Sequence, residues 1–204
     1  RGYPSHLAFP FADFRWKSFH IQNKKDIVMK SITYSGIVSS SGNGGFYSPE
    51  HYVEQSMATL TTHDMPTLIG YWHCKDLELG QEIGLYSGDE LMKSLYADRV
   101  KAKQSILDSL HGHNSIPSDI GRDANYVGMT QELNYGMQIH MAKGSSALLS
   151  LQLEDWLQMD MPVNIPGTSE EYPNWRRKLS VDLEDIFDKP EVNQLTQALT
   201  KARQ

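Results

Sequence analysis

The chain has 204 residues, a mass of 23.1 kDa and a formal net charge of -6, with 39% hydrophobic and 22% charged residues. That composition excludes a collagen-like chain and a disordered polyelectrolyte, and one cysteine, Cys74, excludes a disulfide scaffold. No apolar run approaches the ~20 residues of a membrane span, and Arg1-Gly2-Tyr3-Pro4-Ser5-His6 leads into no signal-peptide pattern. With a lone cysteine suited to a reducing compartment, the expected setting is cytoplasmic, with no membrane partner. An acidic chain lacking a Lys/Arg stripe is a poor match to a phosphate backbone, so no nucleic-acid partner is expected.

Residues 1–44 carry six Lys/Arg against two Asp/Glu, whereas 45–204 carry thirteen against twenty-three. The first segment holds Phe9, Phe11, Phe14, Trp16 and Phe19 without a sustained period, and ends in Ser39-Ser40-Ser41-Gly42-Asn43-Gly44-Gly45. Such a tract is a linker signal. We therefore expect a poorly ordered or artefactual leader over 1–44 and organised structure from 45 onward.

Ser56-Met57-Ala58-Thr59-Leu60-Thr61-Thr62 predicts a buried strand over 56–62. It runs into His63-Asp64 and then Pro66, which suits the first turn of a helix carrying Leu68, Tyr71 and Trp72. Ser87-Gly88-Asp89-Glu90 has capping-box spacing, with Ser87 and Glu90 expected to satisfy free amides of a helix reaching Gly112. Residues 113–129 predict loop. Thr130 is placed to cap a helix bearing Leu133, Met137 and Met141, stopped by Gly144. Residues 146–153, Ser146-Ala147-Leu148-Leu149-Ser150-Leu151-Gln152-Leu153, predict a second strand ending at the polar pair Glu154-Asp155. The segment 162–178 predicts loop, and Val192, Leu195 and Leu199 mark a helix over about 191–203. Strands alternating with helices predict an α/β fold.

Eight histidines invite a metal, but there is no HExxH, and a single cysteine excludes a zinc finger. Neither a dinucleotide fingerprint nor a P-loop is present. No metal site and no cofactor are expected. Two constellations remain. Thr62-His63-Asp64-Met65-Pro66-Thr67 sets an imidazole and a carboxylate at a strand end, where α/β barrels place their chemistry. Asp64 could grip two sugar hydroxyls, or it could simply cap the next helix. On spacing alone the cap has a slight edge. Val163-Asn164-Ile165-Pro166-Gly167-Thr168 followed by Asn174-Trp175-Arg176-Arg177 suits a carbohydrate cleft, where rings stack and amides read hydroxyls. Composition alone favours a plainer reading, a turn with an anchored Trp175 and two solvated arginines.

Taken together, these segments resemble the amylomaltases, the 4-alpha-glucanotransferases also called disproportionating enzymes (glycoside hydrolase family 77). The stretches that carry the likeness are Pro49-Glu50-His51-Tyr52, Glu54 to Ala58, Thr62 to Trp72, Ser146 to Asp155, Val163 to Thr168 and Asn174 to Leu179. They cover about 45–200 and look like the C-terminal part of the bacterial enzyme, residues 1–44 being left unmatched. The resemblance implies a (β/α)8 TIM barrel of which this chain holds about the last two strands, the seventh at 56–62 and the eighth at 146–153. It implies a retaining, covalent transfer of an α-1,4-glucan segment to the 4-hydroxyl of another glucan or of glucose. It also implies that Asp64 is the catalytic carboxylate that stabilises the transition state, with His63, Asn164 and Trp175 binding substrate. Maltooligosaccharides and the missing N-terminal part of the barrel are the implied partners.

The family's nucleophile lies in an Arg-x-Asp-His motif and its acid in a Glu-Asp-Leu-Gly motif, and neither string occurs in these 204 residues. We therefore expect a barrel piece, incomplete on its own and without activity in isolation. The alternative from another class is a non-catalytic carbohydrate-binding or scaffold remnant.

Overall fold

The computed structural model describes residues 28–31 as backbone, and residues 48–52 and 54–204 in full. Three short parallel strands form one sheet in the order β1 (Val28–Ser31), β2 (Ser56–Thr59), β3 (Leu148–Ser150). The register sets Met29 beside Met57 and Met57 beside Leu148, then Thr59 beside Ser150. Both predicted strands are present, though shorter than the sequence suggests. A third, β1, falls in the segment expected to be a leader, which corrects that expectation for residues 28–31. The rest of the predicted leader lies outside the described residues.

Central β2 is buried on both faces, as parallel strands require, with Ser56, Ala58 and Thr59 inaccessible. Edge strand β3 is not, and Leu148 is 47% exposed. Among the described residues six α-helices follow: α1 (Leu68–Trp72), α2 (Lys75–Glu82), α3 (Asp89–Gly112), α4 (Gln131–Ala142), α5 (Leu153–Trp156) and α6 (Pro190–Ala202). A 3-10 turn, Leu183–Asp188, leads into α6.

Several helix starts differ from expectation for local reasons. Thr67 caps α1, its side chain accepting from the Gly70 amide, so Pro66 lies before the cap rather than in the first turn. That also removes the capping explanation for Asp64. Ser87 does not cap α3, because Gly88 takes the cap position at φ +95° and no side chain bonds the first amides. Only glycine takes that backbone shape at little cost. Thr130 behaves as predicted, accepting from the Leu133 amide at 3.2 Å. The unpredicted α2 exists because Cys74, at φ +60°, breaks the helical run after Trp72 and restarts it at Lys75.

The main core joins Leu60, Leu68, Tyr71 and Trp72 to Leu107 and Leu110 of α3 and Leu133, Met137 and Met141 of α4. Trp72 also anchors the long loop before α4, its indole N–H donating to the Val127 carbonyl at 2.8 Å. Gly70 lets α1 sit directly on the chain ahead of Asn164, since a Cβ there would lie 2.3 Å from the Asp160 carbonyl oxygen. At the far end of the chain, the Arg203 guanidinium donates to the carbonyls of Gly144, Ser146 and Ala147. It thereby ties α6 to the turn that feeds β3. These contacts bring the segments after β2 and β3 together at one end of the sheet.

Candidate active site

The C-terminal ends of β2 and β3 are neighbours because the strands are parallel and paired. Thr61 and Leu60 continue β2 into the core, and Met65 closes a turn by donating to the Thr62 carbonyl at 3.0 Å. That turn presents His63 and Asp64 outward, with side chains 54% and 39% exposed. His63 Nε2 lies 3.4 Å from Asp64 Oδ2.

The loop after α5 arrives opposite. Ile165-Pro166-Gly167-Thr168 is a β-turn, closed by the Thr168 amide on the Ile165 carbonyl, with Gly167 at φ +84°. Proline then glycine at these two central positions is the type II preference. Asn174 braces the turn, accepting from the Ile165 amide and donating to the Thr168 hydroxyl at 2.8 Å each. Tyr172 anchors the loop's base through its hydroxyl, which donates to the Pro162 carbonyl at 2.6 Å.

This loop delivers two residues to the carboxylate. Asn164 Nδ2 donates to Asp64 Oδ1 at 2.7 Å, a bond spanning one hundred positions of sequence. Trp175 sits in the left-handed region at φ +61°, held there by its amide on the Val163 carbonyl at 2.9 Å. Its ring, 63% exposed as a residue, packs against His63 with centroids 5.1 Å apart and planes tilted by 44°. All four sequence-predicted site residues, His63, Asp64, Asn164 and Trp175, therefore meet in one open patch.

Chemically the patch offers an oriented carboxylate, an imidazole, an amide and an accessible aromatic face. One Asp64 oxygen is fixed by Asn164 and the other lies beside His63, while the side chain stays open to a ligand. Such a set suits a polyhydroxylated ring, whose hydroxyls take the polar groups and whose flat face takes the indole. Among the described residues, no three His, Cys, Asp or Glu side chains gather in a metal-binding arrangement.

Beneath the patch lies a polar layer that sequence reasoning missed. Asp155, 2% exposed, accepts from the Thr61 hydroxyl and, at 2.7 Å, from the Leu68 amide. Burial pushes its carboxyl up to about 6, against the opposing pull of those two hydrogen bonds. Neighbouring Glu154 raises it further and Arg177 lowers it, both more weakly. Arg177 is not solvated, as composition suggested. Its side chain is mostly buried, with Nη2 3.4 Å from Glu154 Oε1. Among the described residues its Nε and Nη1 have no hydrogen-bond partner, and neither does the Thr62 hydroxyl. These groups border a small cavity between Gln152, Glu154 and Val163, next to His63. The signal that could have found this layer is topological: polar residues ending two paired parallel strands must face each other.

The glycoside hydrolase family 77 profile, 4-alpha-glucanotransferase, matches residues 23–183. The match begins ahead of the predicted boundary at 45, so the likeness takes in the latter part of the predicted leader, including β1. A 4-alpha-glucanotransferase of Haemophilus influenzae is 37% identical over 175 residues, covering 86% of this chain and 24% of that protein. One of Mycobacterium tuberculosis is 27% identical over 161 residues, covering 75% of this chain and 21% of that protein. The chain thus spans about a quarter of the length of the curated relatives it matches. The crystal structure of amylomaltase from Corynebacterium glutamicum superposes with a TM-score of 0.70 at 24% identity, covering 87% of this chain and 25% of that one. That likeness shows a shared mixed α/β fold over the matched region. With the profile spanning most of its residues, this chain belongs to the 4-alpha-glucanotransferase family.

Proposed function

We propose that this chain forms the C-terminal part of the catalytic barrel of a longer 4-alpha-glucanotransferase, with β2 and β3 as the seventh and eighth strands. The longer enzyme moves an α-1,4-glucan segment onto the 4-hydroxyl of a second maltooligosaccharide or of glucose. It does so with retention, through a covalent glucosyl-enzyme. In such a reaction one carboxyl group attacks the anomeric carbon and another protonates the leaving oxygen. A third carboxylate, here Asp64, holds hydroxyls of the reacting glucose as the ring flattens and positive charge develops. His63 donates a further hydrogen bond, and Trp175 supplies a stacking face.

The observation that carries this reading is the bond from Asn164 Nδ2 to Asp64 Oδ1 at 2.7 Å. It joins the two family motifs and fixes the carboxylate's rotation while leaving it open to a ligand. Preorganised polar groups aimed at developing charge are usually the largest contribution to such catalysis.

The nucleophile and the acid come from the remainder of the longer enzyme, so this chain alone does not break glycosidic bonds. The unpartnered donors of Arg177 and the Thr62 hydroxyl support that division. Buried groups of this kind cost about 1–3 kcal/mol each when unsatisfied, and the remaining strands would bring acceptors to them.

The test is incubation with maltotriose, scored for glucose together with longer maltodextrins. The longer enzyme should yield both and this chain alone neither. Both products from this chain alone would overturn the division of residues, and neither from the longer enzyme would overturn the reaction itself.

A further inference from the structure

The turn that carries His63 and Asp64 has no regular secondary structure between the end of β2 and the start of α1, yet its side chains must hold a fixed position to act on a sugar. Its own internal bonding is thin: Met65 to the Thr62 carbonyl is the one backbone bond within it. The Thr59 hydroxyl donates to the Thr61 carbonyl at one end, and one side chain from a distant part of the chain bonds both ends. Asp155 accepts from the Thr61 hydroxyl, two residues before His63, and from the Leu68 amide, four residues after Asp64. One carboxylate therefore spans the turn and clamps it at both sides.

Asp155 is itself held from behind. Its backbone carbonyl accepts from Asn134 Nδ2 at 3.1 Å, and Gln138 Nε2 in turn donates to Asn134 Oδ1 at 2.6 Å. Asn134 and Gln138 lie one turn apart on α4 and are both inaccessible. Two buried amides are an expensive way to fill a core unless they position something. The chain of contacts runs from α4 through α5 to both ends of the His63–Asp64 turn.

We propose that Asp155 is a positioning residue, which by bonding Thr61 and Leu68 together sets where His63 and Asp64 stand. This deepens, and rests on, the transferase reading above. Asp155 acts here through the turn and not on the sugar: it is 2% exposed, its two oxygens are taken by Thr61 and Leu68, and it reaches only the small cavity beneath His63. Displacing a catalytic group by ~1 Å can cost about a hundredfold in rate, so the clamp should act on turnover more than on binding.

Three variants of the longer enzyme test this. Asp155→Ala removes both bonds, and we expect kcat to fall by about tenfold or more while KM moves by less than about threefold. Asp155→Asn is the rescue: its oxygen accepts from Leu68 and its NH2 donates to the Thr61 hydroxyl, so kcat should return to within about threefold of the parent. Thr61→Val breaks one bond without cutting a cavity, and should give a smaller loss of the same kind. It also serves if Asp155→Ala does not fold. Deuterium exchange of the peptide spanning 61–69 supplies a readout free of activity. It should quicken in Asp155→Ala and in Thr61→Val and stay at the parent level in Asp155→Asn.

Equal losses of kcat in Asp155→Asn and Asp155→Ala would overturn the proposal, because charge rather than position would then be what Asp155 contributes. Unchanged exchange over 61–69 in Thr61→Val and Asp155→Ala would overturn it too. If the parent transfers no glucan at all, the transferase reading fails on its own, and the exchange pattern still decides whether the clamp exists.

Discussion

Two buried carboxylates in this molecule face different electrostatic settings. Asp76, on α2, meets the Arg99 guanidinium in a two-pronged pair at 2.8 and 2.7 Å, both side chains almost wholly inaccessible. Burial alone would favour neutral Arg99, but the bonds to Asp76 and its charge prevail, and its pKa is raised overall. The same guanidinium lies 3.7 Å over the Tyr71 ring. Among the described residues Asp155 has no such paired cation. Arg177, whose charge lowers its pKa weakly, is engaged with Glu154, and Asp155 is held by a hydroxyl and an amide. The contrast is instructive. Where a charge is fully paired, the fold gains a rigid strut between α1, α2 and α3. Where a carboxylate is buried on hydrogen bonds alone, it retains a displaced pKa and sits directly behind the site.

The sharpest way to break this contrast is to unpair the strut. Arg99→Met leaves Asp76 buried without a partner and should cost about 3–5 kcal/mol of stability. Urea unfolding measures it, and transfer kinetics below the melting transition should stay at the parent level. A loss of kcat with stability intact would show that the strut also serves the site.

Next in size is the pH dependence of Asp155. Its folded value of about 6 lies above the unfolded one near 3.9, so the native state binds the proton more tightly. Stability from this group is therefore full below about pH 4 and is lost as pH rises through about 6, by roughly 3 kcal/mol in all. Asp155→Asn should remove that slope, so the gap between the two proteins in urea-derived stability should change across this window. A constant gap from pH 4 to 7 would mean that Asp155 titrates normally.

Smaller effects are expected in the open patch. Asn164→Ala frees one oxygen of Asp64, and a hydrogen bond to a charged group is worth about 1.5–3 kcal/mol, so kcat should drop about tenfold or more. Replacing Trp175 separates its ring from its backbone. Trp175→Gly should be more stable than Trp175→Ala by about 1 kcal/mol, because only glycine relieves the left-handed conformation. Thermal melts of the pair measure the difference, and both variants should bind maltooligosaccharide more weakly.

The open patch was legible in sequence because its residues stand in long, ordered strings: Thr62 to Trp72 and Val163 to Thr168, with Asn174 to Arg177. Their meeting follows from two strand ends pairing in parallel. The layer below was not legible. Asp155 looks like a polar strand end, and only the register of β3 on β2 places it against Thr61. Arg177 looks solvated until Glu154 is seen beside it. Backbone shape was hidden as well. Ser87 has the spacing of a cap, but Gly88 at φ +95° moves the helix start past it, and Cys74 at φ +60° splits one apparent helix into two. β1 escaped because four residues within an aperiodic segment show no alternation, and pairing with β2 is what makes them a strand.

The central claim is that Asp64, oriented by Asn164, acts on the transition state of glucan transfer. Its most direct test is the steady-state rate of maltotriose disproportionation by the longer enzyme carrying Asp64→Asn, whose shape and fold are preserved. The account predicts that kcat falls by about a hundred- to a thousandfold with urea stability within about 0.5 kcal/mol of the parent. Turnover near the parent level in that variant would contradict it.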